Sequence, residues 1–266
     1  MLDWLRKRQR VRTIPAPLWE GAVMHYPFLA ARGALDLARL RELAGYFLAT
    51  KEFHGAHEFV ITDEVALAIA VQAVLPVLHL GKPNQPQSAL GWYDDFVGIV
   101  VHHGDVIARR TMTDDAGIVH QYSEVLAGEA MDRGPVMLNW RDVDNAGKTA
   151  AQGYNVVIHE FIHKIDMRDG VADGCPPLPN HLQRAAWRKT MQSEYQLFRE
   201  AVTMADRFGG DAPWLDAYGA HSLAEFFAVT CEAFFVNRER FDKEFAALPA
   251  LFDAFFTPQS STAQTQ

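Results

Sequence analysis

His159 and His163 stand four residues apart in Gly153-Tyr154-Asn155-Val156-Val157-Ile158-His159-Glu160-Phe161-Ile162-His163-Lys164-Ile165-Asp166, with Glu160 directly after the first histidine. On a helix this spacing puts both imidazoles on one face, one turn apart. Two neutral imidazoles so placed can hold a zinc ion, and a glutamate beside them can reach a water at that ion. The chemistry is metal-assisted hydrolysis. Val156, Val157, Phe161, Ile162 and Ile165 flank the pattern, so a buried helix is expected, with the ligands in a groove of low dielectric. Asn155 can cap that helix one turn ahead of His159, and Gly170 can stop it. The bland alternative, a chance H-E-x-x-H on a surface helix, fits these apolar flanks poorly.

A catalytic zinc takes three protein ligands and keeps a fourth position open. The third ligand is sought on a second helix. Leu223 to Val236 reads as one, dense in phenylalanine and therefore buried. It carries Glu225 and Glu232, seven residues apart and so on one face. A carboxylate inside an apolar helix needs a partner, and a metal ion is one. Glu225, near the helix start, is the candidate third ligand. Two other readings compete. Ser222-x-x-Glu225 is a capping-box pattern, in which Glu225 would accept the Ser222 backbone N–H. His221 is a rival ligand that would make a three-histidine site. Glu232 is expected to orient one imidazole. His54 and His57 form an H-x-x-H around Gly55 with no third ligand after it, and an exposed turn is expected there. Cys175 and Cys231 have no partner spaced for a metal site and fit idle thiols in a reducing cytoplasm.

Other elements must position these groups. Apolar residues recur at helical spacing from Leu35 to Lys51. A second helix is expected to start at Thr62-Asp63-Glu64 and run, apolar nearly all round, to Leu80. The period then changes to that of strands, at Phe96–His102, Val106–Ala108, Val119–Glu124 and Pro135–Trp140. Val136–Trp140 is the expected open edge, where an extended peptide substrate can pair. Asp142–Gly153 reads as a polar connection into the H-E-x-x-H helix. A long helix is expected over His181–Phe208, with Trp187, Met191, Tyr195 and Phe198 as its core stripe. The fold class is α+β, a small mixed sheet wedged between helices.

The bulk composition narrows the function. A net charge of −8 over 266 residues leaves no broad basic face for phosphates, so direct nucleic-acid binding is not expected. No apolar run is long enough to span a bilayer. Met1–Arg10 is basic and lacks the apolar stretch of a signal peptide, so a cytoplasmic location is expected. Residues 257–266 read as a disordered polar tail.

Several stretches together resemble the Mlc titration factor A family of bacterial zinc metallopeptidases. They are Thr62–Gly81, Trp92-Tyr93-Asp94-Asp95-Phe96, Gly153–Asp166, Asp169–Gly174 and Ala224–Phe235, and the likeness runs from about Trp19 to Phe256. The pattern is also similar to the catalytic domain of anthrax lethal factor, where a tyrosine lies seven residues before a glutamate that is the third zinc ligand. Tyr218 and Glu225 stand in that relation. The resemblance implies one mainly helical, zincin-like domain over 1–256. Its helical part would cover about 18–90, its sheet about 96–141 and its catalytic helices about 154–236. It implies one zinc on His159, His163 and Glu225, with Glu160 as base and Tyr218 assisting the transition state. It further implies aminopeptidase-like action on peptides and association with the glucose repressor Mlc, hence a link to sugar uptake. A non-catalytic protein that sequesters such a repressor is the alternative. One departure is local: Ser222-Leu223 replaces the Asn-Pro usual in that family.

Overall fold

The computed structural model describes residues 11–82, 85–104, 106–113, 119–126, 128–130 and 134–258. The expectations for Met1–Arg10 and for the tail from Gln259 lie outside them. Helices α1 (Ala16–His25), α2 (Pro27–Ala30) and α3 (Ala34–Thr50) come first. α3 buries Leu40, Leu43, Ala44, Phe47 and Leu48 of the stripe its periodicity predicts, while Leu37, its first member, is only partly covered. Strand β1 (Glu52–Gly55) holds His54, and His57 follows in the turn at φ +49°, both exposed. Helix α4 (Asp63–Ala73) starts as expected, its Thr62 hydroxyl accepting the Val65 N–H at 3.3 Å. It ends early. The apolar run continues to Leu80, but Pro76 has no N–H to donate and its ring would clash with the carbonyl one turn back. Val74, Leu75, Val77 and Leu78 stay buried without being helical.

Strands β2 (Gly98–His102), β3 (Val106–Thr113), β4 (Val119–Leu126), β5 (Gly128–Ala130) and β6 (Val136–Asn139) follow. One sheet has the order β1-β2-β6-β5, parallel at β1–β2 and β2–β6 and antiparallel at β5–β6. β3 and β4 form a separate antiparallel pair. The small mixed sheet is as predicted, but it also takes in β1 at Glu52–Gly55, ahead of the expected 96–141 and where a turn was expected, because those residues pair with the distant β2; its edge differs as well. β6 is bonded on both sides, so Val136–Trp140 is not an open edge; the outer places belong to β1 and β5, and β5 is no strand in the sequence reading. Fully buried Val136 and Leu138 suit an inner strand. β5 has three residues, two of them Gly and Ala, too few to show an alternating pattern.

Trp140 begins helix α5 (Trp140–Thr149) rather than ending β6, and Asn139 Oδ1 caps that helix by accepting the Arg141 N–H at 2.9 Å. The expected polar connection is thus largely helical. Only Val143 and Ala146 of α5 are buried, an apolar stripe too thin to stand out.

Helices α6 (Val156–Asp166), α7 (His181–Phe208), α8 (Leu223–Val236), α9 (Arg238–Glu244) and α10 (Leu248–Phe256) complete the fold. α6 carries the H-E-x-x-H and packs directly on α8. The aromatic stripe of α7 grips α8 from another face. Trp187 lies edge-on to Phe227 at 5.5 Å and stacks on Phe252 of α10 at 5.6 Å, while Tyr195 and Phe198 meet Phe226. Such pairs each add about 1 kcal/mol beyond the area they bury. Among the described residues no helix is long and apolar enough to cross a membrane.

The turn after α6 sets where α8 begins. Asp166 accepts the backbone N–H groups of Gly174 at 2.8 Å and Cys175 at 2.9 Å. Gly174 sits at φ +75°, and a Cβ there would stand 2.5 Å from the carbonyl oxygen of Leu223, the first residue of α8. Gly174→Ala is therefore expected to cost about 2 kcal/mol or more, from the left-handed backbone alone. Thermal unfolding should show Tm lower by about 5 °C or more. An unchanged Tm would mean that the turn moves freely away from α8.

Candidate metal centre

α6 is built to hold its first histidine still. Asn155 Oδ1 accepts the Ile158 N–H at 2.9 Å, capping the helix one turn before His159. After a single 3-10 turn, Gly170 at φ +97° ends the run. His159 and His163 project from one face with ring centroids 4.8 Å apart and Nε2 atoms 3.1 Å apart. Glu225 reaches them from the first turn of α8, its Oε2 lying 3.1 Å from His159 Nε2 and 3.3 Å from His163 Nε2. Among the described residues, these three make up the one group of three or more His, Cys, Asp or Glu side chains whose ligand atoms lie within 4.8 Å of one another.

The competing readings of this segment can be placed beside that geometry. The Ser222 half of the capping box forms, its Oγ accepting the Glu225 N–H at 3.2 Å. The Glu225 carboxylate turns to the imidazoles instead of back to Ser222. Helix entry at Ser222-Leu223 is thus a serine cap, needing no proline. His221 is exposed, beside the Tyr218 ring at 4.7 Å, and is not in the group of three. Cys175 and Cys231 are buried free thiols outside it, and His54 and His57 are also outside it.

Whether a zinc ion suits these residues is decided by their lone pairs. Glu232, 1% exposed, puts Oε1 2.8 Å from His159 Nδ1 and accepts the Asn155 backbone N–H on Oε2. The Nδ1 proton is therefore assigned to the Glu232 bond, and Nε2 presents a lone pair. That lone pair faces another acceptor, Glu225 Oε2. Two facing acceptors need a proton or a metal ion between them. Burial opposes charge on His159, yet its hydrogen bonds to Glu225 and Glu232 outweigh burial and hold its pKa well above the ordinary value. Burial likewise raises Glu225, but the two imidazoles pull it well below the usual carboxylate range. The pocket stabilises positive charge at this point, and two imidazole nitrogens with one carboxylate oxygen are a donor set that zinc accepts. The residues fit the ion.

Comparison with known proteins gives the family. The model of a family described as glucose-regulated metallo-peptidase M90 matches residues 1–257. The chain belongs to this family. Mlc titration factor A of Edwardsiella ictaluri (strain 93-146) is 36% identical over 231 residues, covering 86% of this chain and 83% of that protein. The protein of the same name from Pectobacterium atrosepticum is 33% identical over 254 residues, covering 95% of this chain and 89% of that one. That from Serratia proteamaculans is 31% identical over 257 residues, covering 96% and 92%.

In this M90 chain two further groups stand beside the three ligand candidates. Glu160 is 4% exposed, and burial raises its pKa against the opposing pull of His159 and His163. A carboxylate so tuned can take a proton and later release it. Tyr218 lies half-buried in a 3-10 turn, its N–H bonded to Asp216 Oδ1 at 2.9 Å and its ring centroid 6.2 Å from that of His159. A cleft of about 640 Å³ elsewhere, lined by Leu18, Tyr26, Leu67 and Trp140 among others, includes none of these groups. Reading α4 as apolar nearly all round passes over Gln72, although an amide in that run was a signal that something polar faces it.

Proposed function

We propose that this chain is a zinc-dependent peptidase of the zincin type, gluzincin-like in its third ligand. His159, His163 and Glu225 would hold one zinc. The observation that carries the reading is the convergence of His159 Nε2, His163 Nε2 and Glu225 Oε2 beside a buried Glu160. When bound, zinc supplies a Lewis acid, lowering the pKa of a water to about 7 and polarising a carbonyl. Glu160 takes the proton of the attacking water and delivers it to the leaving amine. The Tyr218 hydroxyl donates to the carbonyl oxygen as that oxygen gains charge. Glu232 keeps His159 in the required tautomer. β5 packs beside α6 at the outside of the sheet, so an extended peptide would pair there.

Aminopeptidase-like action in the cytoplasm is the specific form proposed, the two buried free cysteines suiting a reducing compartment. The test uses the purified full chain, with zinc measured and aminoacyl p-nitroanilides offered beside N-acetylated peptides. Cleavage that needs a free N-terminus and stops with a chelator is expected. Cleavage indifferent to the chelator would overturn the metal mechanism, and equal cleavage of the acetylated peptides would overturn the exopeptidase form.

A second reading rests on the name its relatives carry, Mlc titration factor A. In it the chain binds an Mlc-type repressor and so bears on sugar uptake, with or without catalysis. A net charge of −8 suits a basic partner. Capture of such a repressor by Glu225→Ala as well as by wild type would place that contact on a surface separate from the metal centre.

A further inference from the structure

One buried amide connects α4 to the metal centre. From Val65 to Ala73, α4 buries Val, Leu, Ala and Ile side chains, and among them Gln72 is 0% exposed. An amide there is tolerated only if both its ends are bonded. Both are: Nε2 donates to the Ala68 carbonyl at 2.9 Å, and Oε1 accepts Asn155 Nδ2 at 2.7 Å across 83 residues of sequence. Asn155, also 0% exposed, has no freedom left. Its Oδ1 takes the Ile158 N–H, its backbone N–H goes to Glu232, and its carbonyl accepts the His159 N–H at 3.0 Å. Glu232 then bonds His159 Nδ1 at 2.8 Å.

The direction of every bond in this chain is determined. The Ala68 carbonyl can only accept, so Gln72 must present Oε1 to Asn155. The Ile158 N–H can only donate, so Asn155 must present Nδ2 to Gln72. We infer that Gln72 is a positioning residue for the metal centre: through Asn155 it sets both the cap of α6 and the Glu232 carboxylate that orients His159. Without the Gln72 acceptor, Asn155 Nδ2 is buried and unpaired. The amide then turns toward another partner and loosens its hold on Ile158 or Glu232. Gln72 bonds none of the three ligand candidates; this chain of bonds links it to His159, and the packing of α4 on α6 is the other route that a control must separate. The inference rests on the zinc-centre reading above.

The experiment is zinc affinity by chelator competition on the full chain, with Tm of the zinc-free protein beside it. Gln72→Leu is expected to bind zinc about 10-fold more weakly, the usual effect of losing a group that supports a ligand. Gln72→Glu keeps the shape; buried, it takes up a proton, accepts from Asn155 and donates to Ala68, and should bind nearly as wild type does. It also covers the case in which the leucine variant fails to fold, since weak zinc binding by a folded Gln72→Glu at pH 6 would itself count against the inference. Val71→Ala, which opens a cavity in the same helix at a fully buried side chain, should lower Tm yet leave zinc affinity unchanged. Equal affinity in Gln72→Leu and wild type, or an equal loss in Val71→Ala, would overturn the positioning role while leaving the zinc centre intact. No zinc binding by wild type would instead remove the zinc reading, and this inference with it.

Discussion

Glu160→Gln is expected to keep its zinc and lose about 10²–10⁴-fold in kcat, the range that a general base contributes. A loss of 10³ corresponds to about 4 kcal/mol of transition-state stabilisation. Glutamine has the same shape and can still hydrogen-bond a water, but it cannot take the proton. Glu160 has no oxygen among the converging ligand atoms, so metal content should not follow activity down. Its burial, with a pKa pushed up by desolvation, marks a carboxylate able to hold a proton for part of a cycle. The checking measurement is kcat with zinc stoichiometry on the same preparation. Activity within tenfold of wild type would assign the base elsewhere. If zinc is lost together with activity, kcat at saturating zinc separates a base from a support: a base stays inactive, and a support recovers.

What could be seen in the sequence was what depends on neighbours close along the chain. His159 and His163 share a face because four residues make roughly one turn, and Asn155 caps because it stands just ahead of that face. The bounds of α8 followed from Ser222 and from a phenylalanine-rich run to Val236, interrupted only by Glu225, Thr230 and Glu232. Long-range pairing was much less visible. β5 is edge rather than loop only because β6 lies beside it, and nothing in Gly128–Ala130 announces that partner. The premature end of α4 was written at Pro76 but outweighed by the apolar residues around it. Gln72 illustrates a different limit. A polar residue in an apolar run says that a partner exists, but its partner Asn155 is 83 residues away and had already been explained as a cap. The Glu225 carboxylate lay between two outcomes, cap or ligand. By packing α8 on α6 the fold turns the carboxylate toward the two imidazoles, a geometry that favours the ligand reading.

Glu225→Ala is the most informative change for the metal itself, and zinc occupancy near one per chain should fall to a small fraction in it. The loss in affinity should exceed the 10–100-fold typical of groups that merely support a ligand. Linkage gives an independent readout. Zinc at 100 times its Kd stabilises the folded wild type by about 2.7 kcal/mol, provided the unfolded chain does not bind it. In a chain of this size that is a rise in Tm of about 5–10 °C. The variant, given the same zinc, should show almost none of this rise. Its own zinc-free Tm serves as the baseline, because removing Glu225 also removes its bonds to His159 and His163 and alters stability before any metal is added. Full zinc retention in Glu225→Ala would show that another group can complete the site. His221, exposed two residues before α8, is then the first to test, by asking whether Glu225→Ala with His221→Ala loses what Glu225→Ala kept. Retention in that double variant as well would mean that His159 and His163 hold the ion with ligands other than these, and the assignment of α8 to the metal centre would have to be abandoned.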